Sequence, residues 1–190
     1  MVGDDVSPDH RPPAEPPSPP DEAVLDPALR LLSVRSRSVK ELRDRLLRKN
    51  LDPEAVETCV CWLSHRRLLD DEAFAEAVVR DRIQLSPRSP FLLARELVEK
   101  GVSRTTAQKA VARIFDEEGL EPEELSARVA RAWVRKQSPS TRKALLAEAF
   151  DEGRDRARRR LLDFLARRGF VGDAALRGVQ EAEEDRKSVV

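Results

Sequence analysis

Tyrosine is absent from this chain of 190 residues, histidine occurs twice, and aromatics make up only 4% of it. A thin aliphatic core is expected from such a composition, not a deep pocket walled by rings. Glycine occurs seven times and never clusters, which excludes a phosphate-cradling loop. The two cysteines, Cys59 and Cys61, lack Cys-x-x-Cys spacing and a second ligand pair. On a helix they stand roughly 200° apart and serve as small apolar fillers beside Trp62 and Leu63. His65 has no Ser, Cys or Asp partner motif, and it lies near a helix end, where a cation is favourable. No apolar run approaches the ~20 residues that cross a bilayer, and no basic segment followed by an apolar stretch opens the chain. A cytoplasmic protein without membrane, metal or cofactor is the expectation, and no enzyme is visible.

What the chain does have is charge. Its 35 basic and 35 acidic residues cancel, but unevenly. Residues 1–27 hold seven acids, one base and most of the prolines, so they cannot bury enough apolar surface to offset ordering entropy. They are expected to form a disordered acidic tail, either solubilising or competing for a basic surface. The remaining residues carry the compensating excess of bases.

Beyond the tail, apolar residues recur at steps of three and four: Leu42, Leu46, Leu47; Val56, Val60, Leu63; Phe74, Ala77, Val78. No run of period two is long enough for a sheet, so the fold class is all-α. Ser38 with Glu41 forms a capping box. Asp52-Pro53 and Ser89-Pro90 each place a cap before proline at the first helical position. Gly101 and Gly169 sit where helices end in a left-handed residue. Asp70, Asp71 and Glu72 look at first like paired catalytic carboxylates. Three consecutive acids diverge around a helix axis, however, and they fall where a helix toward Ile83 begins, so they are read as cap and first turn.

The pattern repeats. At an offset of 51, LRDRLLRKNL (Leu42–Leu51) lies over LARELVEKGV (Leu93–Val102), and Val56, Val60, Leu63, Phe74, Val78 and Ile83 lie over Ala107, Val111, Ile114, Leu125, Val129 and Val134. At a further 68, RLLDFLARRGF (Arg160–Phe170) lies over LLARELVEKGV, with Ala175 and Val179 over Ala107 and Val111. The 17 extra residues fall near Gln137–Gly153, where TRKALLAEAF can form another helix. Three tandem three-helix repeats are expected, at residues 28–68, 69–118 and 119–184, with a flexible end at 185–190.

Three stretches resemble the RecX family of bacterial recombination regulators. They are ALRLLSVRSRSVKELRDRLLRKNL, LLDDEAFAEAVVRDRIQLSPRSPFLLARELVEKGV and RRRLLDFLARRGF, which together span about four fifths of the chain. The middle stretch is the most specific, since order and spacing both agree. Asn50 stands where glycine is usual, Ser86–Ser89 replaces a commoner Gly-Pro turn, and the acidic leader has no counterpart. The resemblance implies an elongated, curved array lying as a monomer in the groove of the RecA–DNA filament. There it would negatively modulate RecA: filament growth, ATPase, strand exchange and co-protease action in the SOS response. It implies no cofactor and no catalysis.

Two basic groups are candidates for the partner surface. Arg154, Arg156, Arg159, Arg160, Arg167 and Arg168 fill one stretch, in which Arg156, Arg159, Arg160 and Arg167 can share a helical face. Arg35, Arg37, Arg80, Arg82 and Arg88 form the other. Arginine suits bidentate pairing with carboxylates or phosphates, and weak non-specific DNA contact is a further option. The rival reading is a sequence-tolerant helical DNA-binding protein with SVKELRDRLLRKNLDPEAVETCVCWL as a helix–turn–helix. Glu54 and Glu57 oppose it, because they occupy positions where a recognition helix carries groove-reading side chains.

Overall fold

The computed structural model describes residues 18–147 and 152–184. Residues 1–17 of the expected tail, the end at 185–190 and the close of TRKALLAEAF lie outside the described residues. Among the described residues the chain is all helix, and it divides at Asp70/Asp71 into two compact units.

The first unit holds α1 (Glu22–Val34), α2 (Val39–Leu47) and α3 (Pro53–His65). Each starts on a side-chain cap: Asp21 accepts from the Ala23 amide, Ser38 from Glu41 and Asp52 from Ala55. Asn50 closes the turn after α2 at φ 57°, the left-handed conformation that asparagine tolerates. Val24, Ala28, Leu42, Leu46, Val56, Cys59 and Leu63 form the core. Cys59 is buried and Cys61 exposed, and burial pushes the Cys59 thiol up.

The assignment of residues 22–27 to the tail is corrected here. They are the first turns of α1, even though Pro27 lies inside the helix. Proline there removes one backbone donor, but Val24 and Ala28 on either side are buried in the core. Tertiary burial overrides a composition that, read locally, is too acidic and proline-rich to order.

The second unit holds α4 (Asp71–Leu85), α5 (Pro90–Glu99), α6 (Arg104–Glu117), α7 (Pro122–Arg135), α8 (Pro139–Leu145), α9 (Glu152–Ala166) and α10 (Gly172–Glu184). Asp71 and Glu72 fall in the first turn of α4, at the positive end of its dipole. The repeat register is visible in these bounds. Starts at 39, 53 and 71 recur 51 residues later at 90, 104 and 122. Leu46, Leu97 and Leu165, matched across the three repeats, are all 0% exposed. The second and third groups of helices share one continuous core running from Phe74 to Ala182. The extra residues of the third group supply α8 and lengthen α9 at its start.

Two close approaches fix the geometry of this unit. A Cβ on Gly178 of α10 would lie 2.5 Å from Ser126 Oγ of α7, so the missing side chain lets these helices pack closely. Gly169, at φ 81°, follows α9, and a Cβ there would lie 2.4 Å from Ser89 Oγ and 2.9 Å from Leu92 Cβ. The end of α9 is thereby held against the start of α5.

Candidate functional site

Helix α7 separates its charges along its length. Glu123 and Glu124 stand in the first turn, whereas Arg135 and Lys136 stand at the end, each sign where the helix dipole favours it. Leu125, Val129, Ala130 and Val134 go to the core. Near the end of the helix, two ladders of four-residue steps border a cleft of about 620 Å³. One is basic at its ends, Arg128–Ala132–Lys136, and the other, Val129–Trp133–Gln137, carries the ring, with Arg131 and Arg135 beside them. Gln84 and Leu85 at the end of α4, with Ser86 and Pro87 after it, form a second wall, and Phe164 and Arg168 form the third. No carboxylate lines it.

An aromatic pair lies in the lining. Trp133 packs on Phe164 with centroids 6.0 Å apart and planes tilted by 43°. The Arg168 guanidinium sits 3.9 Å above the Phe164 ring, a cation–π contact. Burial, then the nearby charges of Arg88 and Arg167, hold Arg168 below the ordinary guanidinium value. An anion in the cleft would relieve that repulsion.

Glu96 organises the neighbouring cations. It is 9% exposed and accepts from Arg82 Nε at 3.0 Å and Nη2 at 2.5 Å, and from Arg88 Nη1 at 3.0 Å. Burial pushes its carboxyl up, but the hydrogen bond and charge of Arg82, then the charge of Arg88, bring it below the ordinary carboxylate value. Arg82 is raised in turn, chiefly by its hydrogen bond to Glu96.

The eleven arginines expected at a partner surface therefore part company. Arg156, Arg159, Arg160 and Arg167 are exposed. Arg156, Arg160, Phe164 and Arg168 follow one another at four-residue steps, so the outer row of α9 runs into the cleft. Arg154 does not join them: it is 8% exposed and donates to Glu183 at 3.3 Å. Arg37 is also 8% exposed, and its Nε donates to the Leu31 carbonyl at 3.1 Å. Burial, then Arg35 and Arg45, lower its pKa. Both are turned inward, Arg37 from the segment between α1 and α2 and Arg154 from α9. Arg35 is exposed and paired with Glu41 at 2.8 Å. Arg80 meets Glu117 at 2.7 Å, in a network that Arg113 completes with Glu76 at 2.8 Å. Arg80 thus turns to α6 while Arg82 turns to α5.

Sequence reasoning missed Arg128, Arg131, Arg135, Lys136, Trp133 and Phe164 as a group. The signal was present in ARVARAWVRK, whose basic residues recur at three and four around a tryptophan. Among the described residues no group of three or more His, Cys, Asp or Glu could hold a metal ion. The site can bind anions, and no nucleophile–base pair accompanies it.

Family models for the first and second three-helix domains of RecX match residues 26–63 and 70–111. A regulatory protein RecX of Halorhodospira halophila is 32% identical over 167 residues, covering 86% of this chain and 91% of that protein. The chain belongs to the RecX family.

A RecX of Halalkalibacterium halodurans is 38% identical over 114 residues, covering 60% of this chain and 40% of that longer protein. The fold agrees with the crystal structure of RecX from Lactobacillus salivarius, at a TM-score of 0.67 and 19% identity, covering 86% of this chain and 96% of that one. RecX is a family of regulatory proteins, and this RecX-family chain carries the family's helical repeats. Helices α7 to α10, which supply most of the cleft, lie beyond the two matched RecX domains.

Proposed function

We propose that this chain is a negative modulator of the RecA recombinase. It binds RecA and the groove of its filament on DNA, and so limits filament growth, ATP turnover, strand exchange and co-protease action during DNA repair and the SOS response. It acts in the cytoplasm as a monomer and without cofactor or catalysis. Family membership supports the partner. The observation that carries the reading onto these residues is the single ladder Arg156–Arg160–Phe164–Arg168, which joins an exposed arginine row to a cleft without a carboxylate. A polymeric partner with regularly spaced acidic groups complements such a surface better than a small substrate does.

The test adds the purified chain to RecA on single-stranded DNA and follows ATP hydrolysis and filament length. Both should fall with rising concentration of the chain. Unchanged filaments at saturating protein would refute the reading.

A further inference from the structure

We infer that the cleft between α7 and α9 seats a short stretch of single-stranded polynucleotide, with phosphates on Arg128, Lys136 and Arg168 and a base against Trp133. The inference deepens the reading above by naming the strand, not the recombinase, as what this part of the surface meets. It rests on that reading for its setting but not for its test.

Four observations lead there. Arg128, Arg135 and Lys136 have no ion pair among the described residues, whereas the neighbouring Arg131 of the same helix is held by Glu181, and Arg82 and Arg88 by Glu96. These cations are not consumed by the fold. They border a concave site with no carboxylate in its lining, so nothing repels a phosphodiester. Leu85, 80% exposed, together with Pro87, adds apolar surface to the lining that holds the aromatic pair. A sugar or base can rest there, and Leu85 has no packing role that explains its place. Finally, the basic ladder of α7 runs beside the one that carries Trp133. That is the pairing single-strand binders use: cations follow the backbone while a ring stacks on a base.

The competing occupant is an acidic peptide. A peptide that binds by strand addition gains its affinity from main-chain hydrogen bonds to an open edge, and one read by an arginine cluster uses the cations but leaves the aromatic surface idle. The walls here are mainly helices, whose backbone groups are already paired, and no strand edge exists among the described residues. Duplex DNA is excluded on shape, since its bases are stacked inside and cannot reach a ring within a cleft. A single strand needs only cations and an aromatic surface, and the cleft supplies both.

The chain holds two tryptophans, Trp62 and Trp133. In a Trp62→Phe background Trp133 is the only one, and its fluorescence reports the cleft. Full-length protein is titrated with a short oligo-dT, with an abasic oligonucleotide of equal length, and with a polyglutamate peptide of equal charge. Oligo-dT should quench Trp133, and the abasic strand should bind more weakly with little quenching. The plot of log K against log salt for oligo-dT should have a slope of about −2 to −3, the release expected for three or four phosphates at roughly −0.7 each. Arg135→Glu/Lys136→Glu should weaken oligo-dT binding at least tenfold with an unchanged circular dichroism spectrum. Arg128→Ala/Arg135→Ala, a milder change, should weaken it several-fold. Polyglutamate binding as tightly as oligo-dT would reassign the cleft to an acidic peptide and overturn the inference. So would the absence of quenching by oligo-dT at low salt, or full affinity in the folded charge-reversal variant. No recombinase is present, so a negative titration leaves the RecA reading standing. A chain that binds oligo-dT yet never slows RecA would sink that reading alone.

Discussion

The amide of Ser89 donates to the carbonyl of Arg168 across 2.9 Å, joining the loop before α5 to the end of α9. This bond sits beside Gly169, whose conformation and lack of a side chain let the two segments meet. Gly169→Ala must accommodate an unfavourable left-handed backbone and a clash with Ser89 and Leu92. The first costs about 1–2 kcal/mol and the second about 1–3 kcal/mol. Urea denaturation should show a loss of about 2–5 kcal/mol, and Trp133 emission should shift as Phe164 moves. A loss below 0.5 kcal/mol would show that the junction yields freely.

Leu46 and Leu97 occupy matched, fully buried positions in the two units. Leu46→Ala and Leu97→Ala should each cost about 2–5 kcal/mol, as cavities in a packed core do. Circular dichroism during chemical denaturation measures it. A cost under 1 kcal/mol at either position would contradict the burial.

Glu96 makes stability depend on pH. Its carboxyl is depressed in the folded chain, burial opposing and Arg82 and Arg88 prevailing. A group whose folded pKa lies below its unfolded value stabilises the fold above the unfolded value, and that contribution disappears as pH falls through the folded one. The stabilisation is therefore present at neutral pH and is lost below about pH 4.3, the ordinary glutamate value. Glu96→Gln should cost about 1–3 kcal/mol at neutral pH, typical of hydrogen bonds to charged groups. Its deficit should shrink toward pH 3. Parallel urea midpoints of the two proteins over that range test it, and a deficit independent of pH would contradict the ion-pair account.

Arg156→Glu/Arg159→Glu/Arg160→Glu reverses six units of charge on the exposed row of α9. The helix should survive, since Glu and Arg are similar helix formers. Inhibition of RecA should weaken strongly while melting changes little. In the wild-type chain the same inhibition should fade with salt, because exposed charges are screened beyond ~8 Å at physiological ionic strength. Full inhibition by the folded variant would move the interface toward the Arg82–Arg88 side of the cleft.

Much of the local architecture was legible before any packing was known. Ser38, Asp52 and Ser89 cap the helices expected from them, and Asn50 takes the left-handed turn. These outcomes depend on a residue and neighbours within four positions, so a sequence window contains their whole cause. The register of 51 was equally readable, because a buried leucine must recur wherever the same helix face is covered. The start of α1 was not, since nothing inside residues 22–27 reveals that Val24 and Ala28 will be buried.

Charge was where local reading stopped. Periodicity places Arg154 and Arg156 on different sides of α9, but it cannot say which side meets acid or solvent. Glu183, which takes Arg154, is 29 residues away. Trp133 and Phe164 are likewise remote in sequence and touch only because α7 and α9 pack together. Composition, caps and repeat therefore determined an all-helical chain with its repeat-matched leucines, Leu46, Leu97 and Leu165, inside. Which cations remained free, and the cleft they border, were decided by tertiary packing, because desolvation and ion pairing depend on distances that only the folded chain sets.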